Sequence, residues 1–230
     1  MKKILVIIPA RSGSKGIKDK NIINFNGKPL LSWSIKQAKM SKYFSQMKII
    51  VSTDSEKYQR IAKDYGAEVP FLRPNNISGD FSSDYECFLH CFEWLKKNEN
   101  YNADIILHLR PTQPLRTIKL IDECISIFLD NFDNYDSLRT VIPQKKSPCK
   151  MYSISSNNLI PLVKEWKELK EPYNKGRQEL PQFYLHNGYV DLLKTSILVD
   201  GTISGNKIYP FIMNESDNVD IDEMDDLKKI

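Results

Sequence analysis

This chain contains no apolar run of the roughly 20 residues that a bilayer-crossing helix needs. Its four cysteines, Cys87, Cys91, Cys124 and Cys149, are too few and too scattered for a disulfide scaffold. Histidine is rarer still, with three in the chain. Cys87, His90 and Cys91 carry metal-ligand chemistry, but they sit in "YECFLHCFEWL", where helical spacing turns cysteine and phenylalanine toward a core. No second Cys/His cluster completes a tetrahedral zinc site, so packing is the expected role. A strong charge imbalance is also missing. The formal net charge is +4 with both signs interspersed, so nothing calls for nucleic acid, and any positive field must be local. The opening "MKKILVIIPA" lacks the length and small-residue cleavage site of a secretory signal. The expectation is a cytoplasmic protein without a membrane partner. Internal repeats and low-complexity segments are absent as well.

What is present suits one globular domain: 230 residues, 41% hydrophobic and 27% charged. "KILVIIP" reads as a buried strand, "PLLSWSIKQAKMS" as a helix and "MKIIVSTD" as a second strand. "SEKYQRIAKDYG" predicts a helix capped by Ser55 and stopped at Gly66, and "AEVPFLRP" a short extended piece. "SSDYECFLHCFEWLKKN" is a helix with capping residues, "ADIILHLRP" a third strand, "TIKLIDECISIFLDNF" a helix and "YDSLRTVIPQ" a fourth strand. This alternation predicts an α/β fold, a mostly parallel sheet with helices on both faces. After Lys150 the pattern changes. "KMYSISSNNLIPLV" is hairpin-like, and "KEWKELKEPYNKGRQELPQFY" is long, polar and weakly periodic, as functional or partner-packing segments are. "NGYVDLLKTSIL" returns to strand then helix, "NKIYPFIM" is a last strand, and "VDIDEMDDLKKI" begins extended and ends helical.

Open α/β sheets bind ligands beyond the carboxyl ends of their strands. The loop after the first strand, within "IIPARSGSKGIKDKN", holds Gly13 and Gly16 for backbone freedom and Arg11, Lys15 and Lys20 as cations. It matches neither the dinucleotide fingerprint nor the Walker loop. Two readings compete: a plain charged loop, or a cradle for a strongly anionic ligand. "RPTQPLRT" ends the third strand. A rigid turn explains its prolines but leaves Arg110 and Arg116 unexplained on the ligand edge. Asp54, in "VSTD", lies on that edge or simply precedes a helix. "VDID" sets Asp220 and Asp222 on one face of an extended segment, where two carboxylates invite a divalent cation; the plain alternative is a solvated acidic helix start.

Taken in order, "IPARSGSKGIKDKN", "VSTD", "LRP" before "SGD", "RPTQPLRT", "GRQELPQ", "NG" and "VDID" resemble the acylneuraminate cytidylyltransferase (CMP-sialic acid synthetase) family across nearly the whole chain. The resemblance implies a Rossmann-like nucleotidyltransferase fold as one domain over 1–230, with a dimerisation and sugar-binding arm near 155–185. It implies CMP transfer from CTP to the anomeric hydroxyl of a nonulosonic acid, with Mg²⁺, pyrophosphate release and a homodimer. By the same resemblance Ala10, Arg11, Ser12, Gly13, Ser14, Lys15, Lys20 and Asn21 form the CTP loop, with Arg11 and Lys20 catalytic. Arg73, Ser78 and Asp80 surround the nucleotide. Arg110, Thr112, Gln113, Lys150, Arg177, Gln178 and Asn187 serve the sugar, and Asp220 and Asp222 hold the metal and are catalytic together with Arg11 and Lys20.

This sequence departs from the family pattern at Arg110, where glutamine is usual, at Leu185–His186, where arginine often precedes "NG", and at "GYVD" in place of "GAIY". These departures leave sialic, legionaminic, pseudaminic or a related acid open, and Arg110 is expected to read a carboxylate or phosphate. The rival readings are a nucleotidyltransferase of the same fold with another nucleotide or a sugar 1-phosphate, and a non-catalytic nucleotide-binding protein.

Overall fold

A computed structural model describes residues 1–214, 221 and 226. In chain order the elements begin with β1 (Ile4–Pro9), β2 (Asn24–Phe25), β3 (Lys28–Pro29), α1 (Leu30–Met40), β4 (Met47–Ser52), α2 (Glu56–Asp64), α3 (Asp84–Glu99) and β5 (Ile105–His108). They continue with α4 (Ile118–Asp130), β6 (Ser137–Gln144), β7 (Tyr152–Ser155), β8 (Asn158–Pro161), β9 (Glu165–Trp166), β10 (Leu169–Lys170), β11 (Phe183–Lys194) and β12 (Ile208–Ile212).

Among the described residues, six strands form the central sheet in the order β12-β6-β11-β5-β1-β4. β1 pairs in parallel with β4 and β5, and β12 in parallel with β6. Among the described strands of this sheet only β11 runs antiparallel, to both β5 and β6. β1 is apolar at successive positions because both of its faces are covered. Ile4, Val6 and Ile8 enter the core shared with α1, α2 and α4, while Leu5 and Ile7 enter the core beneath α3. Cys87 and Cys91 pack in that second core, and the His90 ring stands edge-on to Phe71 at 4.6 Å.

The helix ends follow the capping chemistry of the sequence. Ser55 accepts from Tyr58 N–H, Ser83 and Glu86 form a reciprocal capping box, and Thr117 accepts from Leu120 N–H. Two expectations change. β11 begins at Phe183, ahead of the "NG" pair, and the helix expected after it is a six-residue 3₁₀ turn, Thr195–Asp200. Its β-branched residues favour no α-helix, and left-handed Gly201 (φ 72°) ends it. Beyond the sheet, β7–β8 and β9–β10 form two short antiparallel hairpins. The first matches the hairpin-like reading after Lys150, while the second lies in the segment read only as long and polar. The expected strand and helix in "VDIDEMDDLKKI" lie outside the described residues, apart from Ile221 and Asp226.

Candidate active site

A cavity of about 440 Å³ opens at the carboxyl ends of β1 and β5. Its walls include Arg11, Ser14, Lys15, Gly16, Lys20 and Asn21 from the loop after β1, and Arg73, Asp84, His108, Arg110 and Thr112 from later segments.

The loop is shaped by its small polar residues. Ala10 N–H donates to the Ser52 carbonyl (2.9 Å), extending the β1–β4 ladder by one bond. Ser12 then donates twice to Asp54, from its backbone N–H and its Oγ, at 2.8 Å each. Asp54 therefore anchors the loop. Asn21 closes it, with Nδ2 donating to the Arg11 carbonyl at 2.9 Å. Asp19, in left-handed geometry (φ 56°), accepts from Tyr58 Oη at 2.9 Å and ties the loop to α2. Lys18, beside it, is exposed. Asp80 is the counter-ion of this loop, 2.9 Å from Arg11 and 2.6 Å from Lys15. Those contacts, Lys15 first, hold its carboxyl below the usual range. Arg73 is buried, with Nε donating to Ser52 Oγ at 3.0 Å. Ser78 turns back on the Pro74 carbonyl (2.9 Å) and is not among the cavity walls.

At the end of β5 the two unexplained arginines separate. Arg116 is a buried strut: its guanidinium donates to the carbonyls of Tyr189, Gln113 and Arg110, to Ser34 Oγ and to Gln37 Oε1. Arg110 faces the cavity, with Nη1 2.6 Å from Asp191 and Nη2 3.3 Å from Asp84. Gln113 and Asn187, expected to serve the sugar, are buried and absent from the cavity walls. Gln113 Nε2 donates to the Asn187 carbonyl at 3.1 Å, and Asn187 Oδ1 accepts from Thr140 Oγ1 at 2.7 Å. They brace a bulge in β11 between His186 and Asp191. Gly188 sits in that bulge at φ 64°, where a Cβ would lie 2.8 Å from Arg110 Nη1. Both the backbone angle and the close approach of Arg110 require glycine.

The residues that sequence reasoning missed are Asp84 and His108; Asp191 stood out only as a family departure. His108 and Asp191 are single ionisable residues inside the apolar runs "IILHL" and "GYVDLL", which is the one signal that marks them. Antiparallel register sets them opposite each other, with His108 Nδ1 3.5 Å from Asp191 Oδ2. Burial raises the Asp191 carboxyl, but contacts from His108 and His186 and the charge of Arg110 outweigh it and hold it well below the usual range. Burial first, and then the charge of Arg110, depress the His108 imidazole.

The sign of the His108 effect follows. With a folded pKa below the unfolded one, the unfolded chain binds the proton first, so stability is lost as pH falls below about 6.5. Urea unfolding is expected to show lower stability at pH 5.5 than at pH 7.5, and His108→Asn to shrink that difference by up to about 1.4 kcal/mol. His90, depressed mainly by burial, contributes in the same direction and persists in the variant.

A family model described as Cytidylyltransferase matches residues 5–187. The chain belongs to the cytidylyltransferase family. It is 33% identical over 234 residues to post-translational flagellin modification protein B of Campylobacter coli, covering 99% of this chain and 93% of that one. It is 32% identical to pseudaminic acid cytidylyltransferase of Campylobacter jejuni subsp. jejuni, over 79% of this chain and 77% of the relative. A solved CMP:2-keto-3-deoxy-manno-octonic acid synthetase complexed with CTP shares the fold, with a TM-score of 0.69 at 15% identity, over 99% of this chain and 96% of that one.

Within this cytidylyltransferase chain, two further residues expected at the sugar stand apart from the first cavity. Lys150 and Arg177 line a second cavity of about 630 Å³ at the base of the β7–β10 arm. Lys150 Nζ donates there to the carbonyls of Tyr173 (2.7 Å) and Lys175 (2.5 Å). Gln178 is exposed on the 3₁₀ turn Arg177–Glu179. Trp166 of the long polar segment packs against Phe183 of β11, and the second cavity shares no lining residue with the first, so Lys150 and Arg177 do not stand with Arg11 and Lys20 there. Asp220 and Asp222 lie outside the described residues, and among the described residues no cluster of three or more His, Cys, Asp or Glu side chains suits a metal ion. No helix among the described residues is long and apolar enough to cross a membrane.

Proposed function

We propose that this enzyme transfers CMP from CTP to the anomeric hydroxyl of a nonulosonic acid and releases pyrophosphate. The carrying observation is the cavity itself: Arg11, Lys15 and Lys20 are among the residues that line it, at the strand edge where such folds bind nucleotides. The α-phosphorus of a triphosphate is shielded by negative oxygens, so these cations offset the charge that moves onto the leaving pyrophosphate. Asp80 holds Arg11 and Lys15 in place until a triphosphate competes for them. The acidic sugar rests on the relatives, one of which is a pseudaminic acid cytidylyltransferase.

Asp220 and Asp222 would hold Mg²⁺, for which two carboxylates completed by phosphate oxygens are a suitable hard-oxygen set. Ile221, the residue between them in sequence, is buried with Ile17, Phe25 and Leu30, and its N–H donates to the Thr112 carbonyl at 2.9 Å. That bond brings the chain to a residue of the cavity wall. When bound, Mg²⁺ would neutralise charge on the phosphate oxygens.

A homodimer completes this reading. Ile154, Leu159 and Leu162 on the arm are 77%, 67% and 63% exposed, an apolar surface suited to a second copy. In that dimer the arm would carry Lys150 and Arg177 toward the partner's cavity. The test is pyrophosphate release with each nucleoside triphosphate over a panel of sialic, legionaminic and pseudaminic acids. Turnover with CTP and at least one acid, lost on chelation of Mg²⁺, is expected. Activity with GTP in place of CTP, or tight nucleotide binding without turnover, would defeat the proposal.

A further inference from the structure

The cationic loop after β1 is seated on a small apolar core, distinct from the two that flank the central sheet. Among the described residues this core consists of Ile17, Phe25, Leu30 and Ile221, with Ile23 and Trp33 packed against it. Trp33 Nε1 donates to the Phe25 carbonyl at 3.1 Å, and the two rings stand edge to face with centroids 5.9 Å apart. Every member except Ile221 belongs to the stretch 17–33, which begins inside the loop itself. Ile221 reaches the core from a distant part of the chain.

Its sequence setting makes that burial informative. Ile221 lies in "VDIDEMDD", where five of eight residues are acids, and such a segment is drawn toward water. The Ile221 side chain is nevertheless fully buried, and its N–H donates to the Thr112 carbonyl at 2.9 Å. Thr112 lines the first cavity, as do Gly16 and Lys20 on either side of Ile17. A residue that only filled a hole would need no backbone bond to the cavity wall. Successive Cα atoms are about 3.8 Å apart, so Asp220 and Asp222 are each one peptide link from a point fixed by both side chain and backbone. Two carboxylates and a triphosphate repel one another before a cation arrives. Charge alone therefore cannot hold this segment at the site, whereas apolar burial can.

We propose that Ile221 is a positioning residue for the divalent cation: its burial beside Ile17 and its bond to Thr112 hold the flanking aspartates at the triphosphate site. This rests on the reading of Asp220 and Asp222 as Mg²⁺ ligands. Without the seat, the aspartate pair is in place for only a fraction of the time, and apparent Mg²⁺ affinity falls by that fraction.

The experiment is calorimetric titration of CTP into the enzyme, once with Mg²⁺ and once with a chelator. The ratio of the two affinities is the coupling between nucleotide and metal. Ile221→Ala is expected to lower that ratio by about tenfold or more, while CTP affinity in chelator stays within about twofold because the cations of the loop are untouched. Ile221→Val removes one methyl group and is expected to lower the ratio by about threefold, which keeps the test open should Ile221→Ala not fold. The control is Ile125→Ala, a deletion in the core beneath α4 that is not among the cavity walls. It is expected to lower the melting temperature and to leave the ratio unchanged. A ratio unchanged in the Ile221 variants that fold, or lowered as far in Ile125→Ala, overturns the inference and leaves the proposed function standing. A ratio that falls as expected, in an enzyme that releases no pyrophosphate with any acid of the panel, supports the inference and defeats the proposed function.

Discussion

Lys20→Ala is expected to lower kcat/KM for CTP by about 100- to 1000-fold, the range seen when one preorganised charge-stabilising group is removed from an active site. Lys20 opens the 3₁₀ turn Lys20–Ile22 and lines the cavity, immediately after the Asp19 that Tyr58 pins to α2. Its neighbour Asn21 fastens the far end of the loop to the Arg11 carbonyl. The ammonium is therefore carried on a backbone tied at both ends, and little reorganisation is needed when a triphosphate binds. A compact point charge on a held backbone suits phosphate oxygens. Lys18→Ala is the control. That residue is exposed, is not among the cavity walls and is expected to leave kinetics unchanged. Pyrophosphate release at varied CTP measures the effect, and a melting curve confirms that the fold is kept. A loss below about fivefold in Lys20→Ala would remove Lys20 from the triphosphate site.

Arg116→Met is expected to cost about 3–5 kcal/mol of stability, the scale for leaving several buried hydrogen-bond acceptors without a donor. Arg116 is 4% exposed and crosses from the turn after β5 to β11 and α1. Removing the guanidinium leaves the carbonyls of Tyr189, Gln113 and Arg110 without this donor, together with Ser34 Oγ and Gln37 Oε1. Each buried acceptor left unsatisfied costs about 1–3 kcal/mol, and partial relaxation brings the sum down to the stated range. For a domain of this size the melting temperature should fall by about 6–20 °C. Arg116→Lys is expected to recover little, because one ammonium cannot reproduce the planar fork that meets acceptors on three elements. A fall under about 3 °C in Arg116→Met would mean that water replaces the guanidinium at little cost.

Arg116 and Arg110 also show where reading the chain stops being enough. In "RPTQPLRT" they are two arginines on one ligand edge, six positions apart. Folding turns one inward as a strut and the other toward the cavity between Asp84 and Asp191. Nothing local distinguishes them, because the choice depends on acceptors contributed by α1 and β11. Gln113 and Asn187 are the same case: polar residues beside a motif, spent on bracing the β11 bulge. Asp54 and Asp80 are acids near the ligand edge that turn out to hold the loop and its cations. The arm shows the limit at larger scale. Its first hairpin was legible and its second was not, and Lys150 and Arg177 settle in a cavity of their own.

Short-range physics was enough for the alternation of strands and helices, the caps at Ser55, Ser83 and Thr117, and the cationic loop after β1. Apolar period, side-chain caps and glycine freedom act within a few residues, so they are written in the chain directly. Which charges meet is not. The antiparallel insertion of β11 between β5 and β6 puts Asp191 opposite His108 and beside Arg110, pairing residues about 80 positions apart. Register between distant strands comes from packing of the whole sheet, and that packing alone set Arg110 of the cavity wall between Asp84 and Asp191.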